Sequence, residues 1–105
     1  MRFPSSVKIG AMRFAVRRAP HLAELGKEAI TSARTQEVLV QPGQAPSYER
    51  DTILHEILHA VIAETGLSAW FSDQDKEEEM VLVLAPALLE VLRENPALVR
   101  YLCEK

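Results

Sequence analysis

Apolar and polar residues alternate with a period of two over the first third of the chain, and a helical period takes over beyond residue 46. Val7 and Ile9 flank Lys8. After Gly10, the residues Met12, Phe14 and Val16 alternate with Arg13, Ala15 and Arg17, the pattern of strands with one face toward a core. Pro20 closes that run. Residues 21–28 fit either a loop or a short helical turn ended at Gly26. Two more strands are predicted over 29–32 and 37–41, joined through 33–36, and the second carries the β-branched and aliphatic run Val38-Leu39-Val40.

The segment 42–46, Pro-Gly-Gln-Ala-Pro, is a turn by composition, and Ser47 is placed to cap a helix, although Arg50 stands where an acidic partner is usual. That helix is predicted over about 48–65, because Ile53, Leu54, Ile57, Leu58, Val61 and Ile62 recur at helical spacing and Gly66 supplies a stop. Residues 67–72 then connect, with Trp70 and Phe71 expected in the core or its rim. Ser72 or Asp73 caps a second helix, whose first turns hold Asp75, Glu77, Glu78 and Glu79 at the end where the helix dipole favours carboxylates. Pro86 falls within its apolar stretch, removes one backbone hydrogen bond and should kink it before it continues through Leu88, Leu89, Val91 and Leu92. After Asn95-Pro96, residues 97–103 form a short last helix with Leu98, Tyr101 and Leu102 available for packing. Strands first and helices afterwards predict an α+β fold: a small sheet of three or four strands packed on the central helix and a second, kinked helix.

Composition narrows the class without naming a function. At 105 residues the chain suits one domain, 1–105, with a single core. Its 48% hydrophobic and 26% charged content exclude disordered and fibrous classes. No segment is long and apolar enough to cross a bilayer, and the start lacks the apolar run of a secretory signal, so a cytoplasmic protein is expected. Cys103, the single cysteine, cannot form an internal disulfide. The net charge of −3 divides unevenly, +4 over 1–50 and −7 over 51–105. Because Arg2, Lys8, Arg13, Arg17, Arg18, Lys27 and Arg34 are spread singly with little aromatic interleaving, they predict a solvated sheet face rather than a nucleic-acid surface.

Candidate chemistry concentrates at 55–59, His-Glu-Ile-Leu-His. Histidines four apart on a helix lie one turn above each other, so both imidazoles can reach one metal ion, and Glu56 beside them can take a proton from a water held there. The spacing suits a zinc centre, His55 and His59 being ligands and Glu56 a general base. The same pair also suits two polar residues of an ordinary helix. A catalytic zinc needs a third protein ligand. The Glu77-Glu78-Glu79 cluster offers one, although an acidic run at a helix start is also what a solvated, dipole-stabilised face looks like. If Cys103 or His21 closed the coordination sphere, the metal would instead only staple a small fold.

The order of strands, H-E-x-x-H helix and acidic cluster opening an apolar helix resembles the zincin-type metallopeptidases, and in particular small single-domain phage and prophage proteins related to the ImmA/IrrE-type peptidases. In that group a glutamate ligand stands seven residues before the alanine of an F-A or L-A pair. Leu84-Ala85 is the matching pair, and counting back gives Glu78, with Glu79 and Glu77 as neighbours in register. Pro86 follows that alanine sooner than the corresponding proline of those proteins. The resemblance implies zinc held by His55, His59 and Glu78, with Glu56 as base and later proton donor, acting on a protein or peptide substrate. It also implies an edge strand that holds the substrate extended, for which 37–41 is the candidate by chain order. Tyr48, Tyr101, His21 and Arg100 are candidates to stabilise the oxyanion, Tyr101 being expected instead to pack with its hydroxyl at the surface. The competing expectation is a non-catalytic, zinc-stabilised interaction module. The sequence pattern sets no oligomeric state.

Overall fold

The computed structural model describes residues 3–66 and 77–104, with the side chains of Glu77, Glu78, Glu79 and Val81 outside the described residues. The strands are β1 (Ser6–Ile9), β2 (Met12–Arg18), β3 (Ala29–Ser32) and β4 (Glu37–Val40), followed by α1 (Pro46–Thr65), α2 (Glu77–Glu94) and α3 (Pro96–Leu102). The fold is α+β, with three helices and one mixed four-stranded sheet among the described residues.

The sheet order is β1-β2-β4-β3. β1 and β2 form an antiparallel hairpin, β4 runs parallel to β2, and β3 lies antiparallel to β4 on the far edge. A parallel neighbour demands a crossover, and the segment between β2 and β4 provides it through a 3-10 turn at Pro20–Ala23 and then β3 itself. The ambiguous residues 21–28 therefore begin in a helical turn, and Gly26, at φ 66°, turns the chain back. β2 runs on past Val16 because Arg17 and Arg18 pair with Leu39 and Val40.

Met12, at the start of β2, is exposed, whereas period-two burial follows the alternation at Val7, Ile9, Phe14, Val16, Val38 and Val40, which are all buried. Ile53, Ile57, Ala60 and Val61 cover them from α1. Each Ile or Val withdrawn from water contributes about 2 kcal/mol, so this stripe fixes how α1 is rotated on the sheet. The helix begins at Pro46 with Ala45 as its N-cap and no side-chain cap bond, so Ser47 is not the cap. Proline suits that place because its missing N–H would have had no helical partner and its φ is already helical. Gly66, at φ 75°, ends the helix with its N–H on the Ile62 carbonyl. α2 is one continuous helix through Pro86. Trp70, Phe71, Ser72, Asp73 and Asp75 lie outside the described residues.

Two buried polar groups tie the layers together. Asn95, at the junction of α2 and α3, accepts the Lys8 N–H at 2.8 Å and donates to the Lys8 and Val91 carbonyls at 2.8 and 2.7 Å. Its amide thus acts as a strand partner for the outer edge of β1. Glu49, in the first turn of α1, accepts two bonds from Arg18, at 2.9 and 3.0 Å, and one from the Tyr101 hydroxyl at 2.7 Å. Tyr101 is consequently buried with its hydroxyl satisfied inside, not at the surface. The described basic residues are exposed or half-buried, as a solvated face expects, and three of them are also engaged: Arg18 lies 4.0 Å over the Phe3 ring, Lys8 pairs with Glu94, and Arg17 pairs with Glu37. No helix among the described residues is long and apolar enough to cross a membrane.

The Arg18 guanidinium holds the Glu49 carboxyl below its ordinary value of 4.5, against a smaller opposing push from desolvation. A carboxyl depressed in the folded state stabilises the fold above its unfolded-state value, and that contribution disappears as pH falls through the folded value. Melting temperatures measured on acidification below about pH 4.5 should fall more steeply for the wild type than for Glu49→Gln. At neutral pH, Glu49→Ala should cost about 1–3 kcal/mol in chemical denaturation, since it leaves the Tyr101 hydroxyl buried without an acceptor.

Candidate metal centre

Successive helical residues point about 100° apart, and the packing of α1 turns that into a division of roles. Glu56 falls at the margin of the buried stripe, next to Ala60 and then Ile53 and Ile57 around the helix, and is only 8% exposed. His55 and His59 fall on the flank beside it and are exposed. Their Nε2 atoms are 3.1 Å apart with the rings edge to face, 4.7 Å between centroids. Two nitrogens bound at about 2.0–2.1 Å to one tetrahedral ion must stand roughly 3.3 Å apart, so the pair has nearly the separation of two ligands of one metal. At such a distance the two lone pairs must share either a proton or a cation. One donor atom from each of His55, Glu56 and His59 lies within 4.8 Å of the others.

A buried carboxylate needs a partner, and Glu56 has one on the neighbouring strand. The Thr31 hydroxyl, on β3, donates to Glu56 Oε1 and also lies 3.2 Å from the Glu56 carbonyl oxygen. Nothing in the H-E-x-x-H spacing points to Thr31, because the contact depends on where β3 sits. The signal available in the sequence was a β-branched hydroxyl residue alternating with apolar Ile30 in a short strand, which is too common to single out.

Two grooves open on this side of α1. One of about 450 Å³ is lined by Lys27, Glu28, Tyr48, Asp51, His55 and Glu56 among others. Another of about 370 Å³ runs past Ile30, Thr31, Ala33, Glu56, His59 and Ala63. Lys27, Ala29 and Glu56 line both, so β3 and the middle of α1 form the two walls. The strand beside the histidines is therefore β3. The expectation that 37–41 forms the edge strand is corrected: β4 has β2 on one side and β3 on the other and presents no edge, because the crossover inserts it between strands that precede it in the chain.

Of the four oxyanion candidates, Tyr48 lines the groove beside His55, two helical turns before it, and its hydroxyl bonds the Glu28 carboxylate at 2.6–2.8 Å. That bond holds the Tyr48 hydroxyl above its ordinary pKa. Tyr101 belongs to the Glu49 cluster at the start of α1 and lines neither groove, and neither do His21 and Arg100. Cys103 and His21 stand outside the His-Glu-His cluster, so neither closes a coordination sphere there. Glu77, Glu78 and Glu79 occupy the first turn of α2, and the choice of a third ligand among their side chains lies outside the described residues.

The donor set suits zinc. Two imidazoles converge through the same ring atom, and their exposed flank leaves room for further ligands on the solvent side. No family model, no curated protein and no solved structure matches this chain.

Protein purified without chelator should carry about one zinc per chain by metal analysis, and His59→Ala should carry none. Cys103→Ser should leave the content unchanged. Glu78→Gln should weaken zinc binding by roughly tenfold or more in competition with a chromogenic chelator. Loss through Glu79→Gln instead would move the ligand by one position.

Proposed function

We propose that this chain is a zinc-dependent peptide hydrolase of zincin type, with His55, His59 and a glutamate of the first turn of α2, Glu78 by its spacing, as metal ligands and Glu56 as general base. The observation that carries the reading is the pairing of convergent, solvent-facing Nε2 atoms with a buried, hydrogen-bonded carboxylate at the next residue. A structural metal site has no use for that carboxylate, whereas hydrolysis needs one within reach of the attacking water. The zincin-like arrangement and the kinship with ImmA/IrrE-type phage and prophage peptidases belong to the same proposal. Their support is the H-E-x-x-H spacing, the position of Glu78 before Leu84-Ala85, and a helix lying against a sheet edge.

Zinc bound at these ligands would polarise the scissile carbonyl and make the attacking water more acidic. The remaining work falls to the chain's own side chains. Glu56 takes one proton from the water as its oxygen adds to the carbonyl carbon, then passes that proton to the amide nitrogen as the C–N bond breaks, leaving an amine and a carboxylic acid, whose remaining proton passes to the amine or to solvent. β3 supplies an extended edge for the substrate backbone, where main-chain hydrogen bonds give affinity that depends little on sequence. Tyr48 can donate its hydroxyl to the developing oxyanion once it leaves Glu28, and Lys27 stands in both grooves as a cationic donor.

Glu56→Gln should retain zinc and the melting temperature of the wild type while cleavage of unfolded protein or peptide pools falls by about 100-fold or more. Mass spectrometry of the digests is the measurement. Equal cleavage by wild type and Glu56→Gln would refute the assignment of the base.

A further inference from the structure

Building on the peptidase reading, we propose that Thr31 is a positioning residue, which holds the Glu56 carboxylate in register with the backbone of a peptide strand added to β3. The pattern of the β3–β4 ladder is what gives Thr31 this double position. In an antiparallel pair, residues alternate between those that bond the neighbouring strand and those whose N–H and C=O point away from it. The Gln41 N–H bonds the Glu28 carbonyl at 2.8 Å, which makes Glu28–Gln41 a bonded pair. Ala29↔Val40 is then non-bonded, Ile30↔Leu39 bonded, and Thr31↔Val38 non-bonded. The backbone groups of Ala29 and Thr31 therefore face outward from the sheet edge, and both residues line the groove that passes His59.

The opposite edge of the sheet shows how such groups are satisfied. Lys8 is outward on β1, and there the Asn95 amide takes both of its backbone groups. At β3, no described residue hydrogen-bonds the outward groups of Ala29 and Thr31. An extended peptide is the ligand chemistry that satisfies such a row.

Thr31 joins that edge to the base. Its hydroxyl reaches Glu56 Oε1, and among the described residues no other side chain bonds that carboxylate. A β-branched residue on a strand has few χ1 choices, so the hydroxyl position follows the strand backbone. A substrate strand registered on the Thr31 backbone and a base anchored by the Thr31 side chain are thus set relative to each other by one residue. Misplacement of a reacting group by a fraction of its contact distance is costly in rate, whereas removal of the hydroxyl leaves the outward backbone groups intact. The role therefore predicts an effect on kcat and little on KM.

The test uses the full chain with zinc bound and the peptide cleaved fastest from a quenched-fluorescence library. Thr31→Val should keep its zinc content and KM while kcat falls by about tenfold or more, the size of a lost bond to a charged group. Thr31→Ser should recover kcat to within about threefold, because it restores the hydroxyl without the methyl. A second readout needs no activity: in zinc-free protein, the melting-temperature losses of Thr31→Val and Glu56→Ala should be non-additive, with the double variant losing less than the sum. A Thr31→Val enzyme with unchanged kcat, an effect confined to KM, or additive melting losses would overturn the proposal alone. A zinc-loaded wild type that cleaves nothing would overturn the peptidase reading itself, and the positioning role with it.

Discussion

The rotation of α1 on the sheet governs the geometry of the site. Ile53, Ile57, Ala60 and Val61 are buried against the strands, and no other rotation of the helix hides all of them. Burial of this stripe is worth several kcal/mol, and it places the next residue around the helix, Glu56, at the boundary between core and β3. His55 and His59 then have no choice but to stand on the solvent flank. The chemistry of the motif is thus oriented by apolar residues that take no part in it. A carboxylate at the margin of a core would be costly if unpaired, and Thr31 offsets that cost from the neighbouring strand.

The start and the middle of α1 handle buried charge differently. At the start Glu49 is fully engaged, with Arg18 and Tyr101 as donors, and the cluster ties α1 to β2 and α3. Three bonds to one carboxylate fix the helix end, where the backbone has no capping side chain. In the middle of the helix Glu56 is held at one oxygen by Thr31. The first arrangement makes a rigid joint. The second leaves an acceptor within reach of the grooves, as a base requires.

The sheet edges show a parallel asymmetry. β1 is closed by Asn95, whose amide substitutes for a strand, so the junction of α2 and α3 is joined to the sheet by side-chain bonds to the main chain. β3, four residues long, lies beside the histidines with its outward groups along a groove. Short edge strands limit unwanted pairing, while a peptide guided by the adjacent grooves can still add to them.

Most of the secondary-structure elements were legible in the local pattern of residues. Alternation located β1 and β2, β-branched and aliphatic residues located β3 and β4, the i, i+3, i+4 recurrence from Ile53 to Ile62 located α1, and Gly66 marked its end, because these signals are local consequences of side-chain shape, side-chain direction and backbone freedom. The histidine pair was legible for the same reason: spacing on a helix is geometry. Which elements become neighbours was settled only by the packed fold. Chain order suggested 37–41 as the edge beside the site, but the crossover placed β4 inside the sheet and gave that edge to β3. Thr31 meets Glu56 across 25 positions of sequence, Tyr101 meets Glu49 across 52, and Asn95 meets Lys8 across 87. Local periodicity carries no record of such contacts, since they arise only when separate elements are packed to bury one common core.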